Sequence, residues 1–284
     1  MRTLVTGARG MLGRDLCPFL REKGHEVIEW DLPQQDITEV TPTIAEATKL
    51  KPAVIYHLAA ITDVDGCEKN RAEAYKVNTL GTWTMALAAR DSKAELVYIS
   101  TDYIFDGVKK HPYLENDKPN PLNYYGSTKL LGEQAVMRDI KSFYICRTSW
   151  MFGAHGKNFV DTILGLAKER PSLDVVDDQE GSPTFTRDLV PALALLPGSK
   201  KYGIYNISNA GTCTWFKFAS EIVRLAGLKA EVKPTTSAKY ALPARRPAYS
   251  ALDNWYFQSR FDHRLRPWQE ALRDFLKQRG ALKE

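Results

Sequence analysis

Tyr125 and Lys129 stand four residues apart in Tyr125-Gly126-Ser127-Thr128-Lys129. On a helix that spacing puts the phenol and the ammonium on one face. A phenol titrating near its ordinary value of about 10 exchanges protons poorly at neutral pH. An ammonium beside it favours the phenolate and pulls that value down, which suits proton exchange with a carbonyl or an alcohol. Tyr124 cannot play this part, because the residue four places on is Thr128. A hydroxyl partner is at hand in Ser100-Thr101-Asp102-Tyr103-Ile104-Phe105, where Thr101 closes an apolar run. Ligands of open α/β sheets bind beyond the carboxyl ends of strands, so a strand-end Thr101 faces that crevice. From there its hydroxyl can support the phenol or hold a carbonyl oxygen.

A second arrangement suits a phosphate. Thr6-Gly7-Ala8-Arg9-Gly10-Met11-Leu12-Gly13 carries glycines at 7, 10 and 13, directly after the first apolar run. The early glycines allow unusual backbone angles and close approach to a pyrophosphate. The last lets a helix pack tightly on its strand, and the helix N-terminus offers free amides to the anion. Asp31 ends the next apolar run, 18 residues after Gly13. A carboxylate there accepts hydrogen bonds from an adenosine ribose and repels a 2′-phosphate, which favours NADH. Arg9 offers that phosphate a partner and keeps NADPH open.

These groups need a scaffold, and the rhythm of the chain supplies one. Strand-like runs at 3–6, 26–30, 53–57, 95–100 and 143–147 alternate with helical patterns at 11–23, 41–50, 68–90 and 125–138. Such alternation implies an α/β fold with a doubly wound parallel sheet. Pro18 lies inside the first helical pattern and predicts a kink. Beyond about residue 150 the rhythm loosens, with strands predicted at 174–176 and 204–207 and a helix at 215–226. The Pro-, Thr-, Ala- and Arg-rich stretch 233–247 reads as loop. An amphipathic helix is expected over 268–282, its Leu272, Phe275 and Leu276 packed inward.

Composition narrows the class. Of 284 residues, 44% are hydrophobic and 26% charged, which supports a packed core without staples. The apolar run 189–196 is too short for a bilayer and is broken by Pro191, and the N-terminus lacks an apolar leader segment. Cys17, Cys67, Cys146 and Cys213 form no CxxC pair, which argues for reduced thiols in a cytoplasmic protein. The net charge of +5 comes without any basic and aromatic tract of the kind nucleic acids require. The five histidines, at 25, 57, 111, 155 and 263, lack metal-ligand spacing.

Together these motifs resemble the extended short-chain dehydrogenase/reductase family over most of the chain. Gly7, Gly10 and Gly13 match its cofactor turn, and Thr101, Tyr125 and Lys129 match its catalytic triad. Ala59-Ala60 matches its cofactor-lining alanine pair, and Asn78 the helix asparagine beside its active site. Within the family the likeness is to reductases of nucleotide-linked 4-keto-6-deoxy sugars. It rests on Ser100–Gly107, Arg147–Gly153, Asp178-Gln179-Glu180-Gly181-Ser182-Pro183-Thr184 and Arg245-Arg246-Pro247.

The resemblance implies a Rossmann-like domain over 1–150, rejoined around 183–208, with a smaller substrate-binding lobe mainly within 151–284. It implies reduction of the 4-keto group of dTDP-4-dehydro-L-rhamnose to give dTDP-L-rhamnose, with the hydride from NADH or NADPH and the proton from Tyr125. It further implies that Met11, Leu12, Asp36, Ile37, Thr62 and Ile99 join the glycines, Asp31, Ala59, Ala60, Tyr125 and Lys129 around the cofactor. Thr101, Asp102, Tyr103 and Trp150 would meet the substrate, with Arg246 near its diphosphate. A homodimer is compatible with it, as is a magnesium ion reported for relatives, although no carboxylate cluster marks a metal site. A related dehydratase would carry an Asp-Glu pair after Thr101, whereas here Asp102-Tyr103 follows. An epimerase and a non-catalytic regulatory subunit of the same fold remain the alternatives.

Overall fold

A computed structural model describes residues 1–240 and 242–283. Five parallel strands, β1 (Arg2–Thr6), β2 (Glu26–Trp30), β3 (Val54–His57), β4 (Glu95–Thr101) and β5 (Phe143–Thr148), are joined by a sixth, Gly203–Asn206. From one edge the order is Gly203–Asn206, β5, β4, β3, β1, β2, all pairs parallel. The chain thus steps outward from β1 to β2, then crosses back to β3. That reversal opens a crevice beyond the carboxyl ends of β1 and β3, where open α/β sheets bind ligands.

Side-chain alternation builds both faces of the sheet. Val5, Tyr56, Val97 and Tyr144 point to one face, covered by Leu12, Leu16 and Leu20 of α1 (Met11–Glu22) and by Leu189, Leu193 and Phe257. Leu4, Ile55, Leu96 and Ile145 point to the other face. Ala47 of α2 (Val40–Leu50) covers them with residues of later helices, among them Met85, Ala89 and Val136. α1 runs unbroken through Pro18. A separate apolar cluster gathers Phe152, Ile163, Leu173, Phe185, Phe218, Leu272 and Phe275, all from beyond residue 150. The helix Trp268–Gln278 buries Leu272, Phe275 and Leu276 as its pattern predicts. No helix among the described residues is long and apolar enough to cross a membrane.

Two expectations are corrected. The single helix expected over 68–90 is four elements: α3 (Val64–Lys69), α4 (Arg71–Tyr75), a π-helical turn (Lys76–Gly81) and α5 (Thr82–Ser92). Asp63 caps α3 by accepting from the Gly66 amide, and Asn70 ends α3 and caps α4. Side-chain caps of this kind start and stop helices where the apolar period runs on. The expected loop 233–247 begins as strand: Glu231–Thr235 pairs in parallel with Ser172–Val176. Pro234 is tolerated because each strand of a two-stranded ribbon is an edge.

The last helix beneath the crevice, α6 (Tyr124–Asp139), is tied to the sheet by charge. Glu133 is fully buried and takes both arms of Arg147 from β5, at 3.0 and 2.7 Å, and the Ser100 hydroxyl from β4 at 2.5 Å. Removing one partner strands a buried charge. Arg147→Met is expected to lower unfolding free energy by about 3–5 kcal/mol in chemical denaturation, and Glu133→Gln added to it to recover a large part.

Candidate active site

One cavity of about 750 Å³ lies over the carboxyl ends of β1 to β5. The glycine turn forms part of its wall through Gly7, Gly10, Met11, Leu12 and Gly13. Gly7 has φ +68°, and a Cβ there would sit 2.7 Å from the Ala59 amide nitrogen. A Cβ on Gly13 would lie 2.5 Å from the Gly7 carbonyl oxygen. The backbone of the turn, the helix and the strand end therefore meet with no room for side chains. No side chain caps the N-terminus of α1, so its first amides stay available to an anion.

Asp31, Asp36 and Ile37 line the cavity beyond β2, and Ala59, Ala60 and Thr62 beyond β3. The Asp31 carboxylate accepts from the Arg9 amide at 2.7 Å and the Leu32 amide at 2.9 Å. It thus clamps the glycine turn to β2 while keeping lone pairs for a ribose. Arg9 also lines the cavity, its guanidinium donating to the Leu32 carbonyl at 3.4 Å. Asn78, in the π-helical turn, receives the Ile61 amide at 2.8 Å and donates to Ile61 and Thr128, joining the segment after β3 to α6. His57 is structural: it is buried between the Thr6 and Thr82 hydroxyls, and burial pushes it down to about 3.

Ile99, Thr101, Asp102 and Tyr103 enter the cavity from the end of β4, and Tyr125 and Lys129 from the first turns of α6. Asn123 caps that helix, accepting from the Gly126 amide at 2.8 Å, and so sets where Tyr125 falls. The expected lowering of the phenol is reversed. Burial raises Tyr125 above its ordinary value, and the neighbouring Thr101 hydroxyl only partly opposes this. Burial also pushes Lys129 down to about 7, against the pull of Glu133, so near neutrality its charge is incomplete. Asp102 is pushed up to about 7 by burial. Its Oδ1 accepts from Thr101 at 3.1 Å, and the neighbouring Ser250 hydroxyl also favours its ionised form. The Thr148 hydroxyl, on a residue of the cavity wall, is buried with no partner among the described residues.

Trp150 lines the cavity as well, just beyond β5. Its backbone is left-handed at φ +45°, which costs a non-glycine residue about 1–3 kcal/mol and persists only where the surroundings impose it. Arg246 is the one expected site residue absent from the wall. Its guanidinium pairs with Asp65 of α3 at 2.7 and 3.2 Å, and Asp65 also receives the Ala244 amide. Residues that sequence reasoning missed include Thr148, Lys157 and Trp215. Trp215 lies 65 positions from Trp150, so no spacing could have linked them. Among the described residues no group of three His, Cys, Asp or Glu side chains is placed to hold a metal ion.

The family model described as "RmlD substrate binding domain" matches residues 1–280. The spore coat polysaccharide biosynthesis protein SpsK of Bacillus subtilis is 40% identical over 280 residues, covering 99% of this chain and 98% of that protein. A dTDP-4-dehydrorhamnose reductase of Streptomyces griseus is 41% identical, with 95% of this chain and 91% of that protein covered. A crystal structure of dTDP-4-dehydrorhamnose reductase from Bacillus anthracis in complex with NADP superposes with a TM-score of 0.95 at 38% identity, covering 98% of this chain and 99% of that one.

A ligand group that donates to Asp102 favours the ionised carboxylate, so binding and deprotonation are linked. Affinity for a nucleotide sugar is expected to strengthen as pH rises through about 7 and to lose that dependence in Asp102→Asn, as read by titration calorimetry across pH.

Proposed function

The chain belongs to the RmlD substrate-binding domain family, and from that premise we propose that it reduces the 4-keto group of dTDP-4-dehydro-L-rhamnose to give dTDP-L-rhamnose, using NADH or NADPH. One observation carries the reading: Tyr125, Lys129 and Thr101 share a single cavity with an uncapped glycine turn. When bound, the reduced nicotinamide supplies a hydride to the sugar's carbonyl carbon.

Tyr125 delivers the proton to the oxygen that becomes hydroxyl. At neutral pH the phenol is protonated, which is the form a reduction needs. Thr101, on the same wall, supports the phenol or holds the sugar's carbonyl oxygen. Lys129, charged in part near pH 7, supports the negative charge that develops on Tyr125 as the proton leaves. Asp102 and Thr148 take the sugar's polar groups, and Tyr103 and Trp150 complete the substrate wall. Gly7, Gly10, Met11, Leu12 and Gly13 receive the cofactor's pyrophosphate, and Asp31, Asp36 and Ile37 its adenosine. Ala59, Ala60, Thr62 and Ile99 flank the rest of the dinucleotide. Arg246, held by Asp65 and neighbouring Tyr103 of the cavity wall, is the residue assigned to the substrate's diphosphate.

The cofactor domain is assigned to residues 1–150 with the return around 183–208, in keeping with Leu189, Leu193 and Tyr205 packing on the sheet. The substrate lobe is assigned to the rest of 151–284, around the second cluster. A homodimer would close on the face where Tyr75, Leu80 and Leu131 remain exposed together. A cytoplasmic setting suits four free, buried cysteines.

The direct test is loss of NADH or NADPH absorbance on adding the dTDP-linked 4-keto-6-deoxy sugar; cofactor binding without turnover would favour the non-catalytic alternative. Tyr125→Phe is expected to lower kcat at least about 100-fold with cofactor Kd nearly unchanged, the scale of one lost general acid. Asp31→Ala is expected to shift the ratio of affinities toward NADPH, measured by titrating both cofactors into the same preparation.

A further inference from the structure

We infer that Trp215 is a positioning residue for the nucleotide sugar, acting through Trp150, an inference that rests on the substrate class proposed above. Four features of the structure converge on it.

The two indoles stack with centroids 3.5 Å apart and planes 6° from parallel. Both line the cavity. On another side Trp150 meets Gly181, where a Cβ would fall 2.6 Å from the indole ring. Trp215 is itself backed by Phe159 at 4.5 Å. Trp150 is thus gripped, and the grip accounts for a left-handed backbone that this residue would not adopt freely.

Local pairing brings the gripping parts together. Gly181 pairs with Cys213 in a short antiparallel ladder, two residues before Trp215. Met151 pairs with Thr184, and the Thr184 amide donates to the Trp150 carbonyl at 3.2 Å. The Ser149 hydroxyl donates to the Ser182 carbonyl at 2.6 Å. Residues 180–184 are therefore threaded between the Trp150 segment and the start of the Trp215 helix. That placement gives the Gly181 position a purpose that the glycine turn does not share.

The remaining wall decides which ligand this serves. Cavity residues at the ends of β1, β2 and β3 belong with the dinucleotide. Those from beyond residue 148 are Ser149, Trp150, Met151, Lys157 and Trp215, which leaves that side for the second ligand. An indole that cannot swing away presents its contact already formed, which reduces the ordering cost of binding. Removing Trp215 frees Trp150 to relax its backbone and leave the wall.

The test uses the whole chain and three variants, Trp215→Leu, Trp215→Phe and Gly181→Ala. Gly181→Ala crowds the Trp150 indole and leaves the Trp215 side chain unchanged. KM for the dTDP-linked keto sugar, Kd for dTDP by tryptophan fluorescence, and Kd for NADPH are measured in each. Trp215→Leu and Gly181→Ala are expected to raise the sugar KM and the dTDP Kd about tenfold, the loss of one stacking partner, with NADPH affinity within about twofold. Trp215→Phe is expected to recover most of the loss. An unchanged dTDP Kd in Trp215→Leu overturns the inference, as does an equal weakening of dTDP and NADPH, which would mean a merely structural role. Wild-type protein that binds dTDP yet does not reduce the keto sugar would sink the reductase reading alone. Wild-type protein that does not bind dTDP would sink the present inference.

Discussion

A lysine buried beneath a ligand cavity imposes the arrangement around it. The Lys129 ammonium lies 4.2 Å from the centre of the Tyr98 ring, with only a small fraction of its surface exposed. Desolvation alone would strip its proton at neutral pH, and Glu133, one helical turn on, opposes that. A carboxylate buried as deeply needs its own partners, and β5 and β4 provide them in Arg147 and Ser100. Helix α6 is thereby docked by its chemistry as well as by its apolar face. Tyr125, one turn before Lys129, inherits its position from the same docking.

The cofactor half depends on contact between backbones. Gly7 lies against the chain at Ala59, and Gly13 against the carbonyl of Gly7. Strand β1, helix α1 and the end of β3 meet where the sheet reverses direction, and the turn's amides are presented to the crevice by that meeting. Asp31 adds a second tie, since one carboxylate holds the Arg9 amide and the end of β2 together. The acidic residue at the end of β2 is thus also part of the turn's construction.

Most of this was legible in the sequence because it is local. The glycine turn, the strand before it and the Tyr-to-Lys spacing each lie within one or two adjacent elements, and their boundaries fall within a residue or two of expectation. The segment 68–90 was misread because apolar periodicity passes through Asn70 and the π-helical turn unchanged, while side-chain caps and tertiary contacts break the helix there. The strand at 231–235 is polar and contains Pro234, so only its partner at 172–176 identifies it. Arg246 pairs with Asp65, and an ion pair across 181 positions leaves no trace in spacing. The Trp150–Trp215 stack was invisible for the same reason.

The balance of burial around the site bears on the direction of the chemistry. A phenol that must take a proton from an alcohol works best as phenolate, which calls for a lowered pKa and a fully charged neighbour. Here the phenol is raised by desolvation and its lysine is only partly charged near pH 7. That combination holds a proton ready on Tyr125. An alkoxide forming beside it is a far stronger base than the phenolate, so transfer runs downhill even from a raised phenol. The positive charge nearby then matters at the moment of transfer, when it meets the developing phenolate in a medium of low dielectric. The same burial that pushes Lys129 down also leaves any charge it carries less screened than it would be in water.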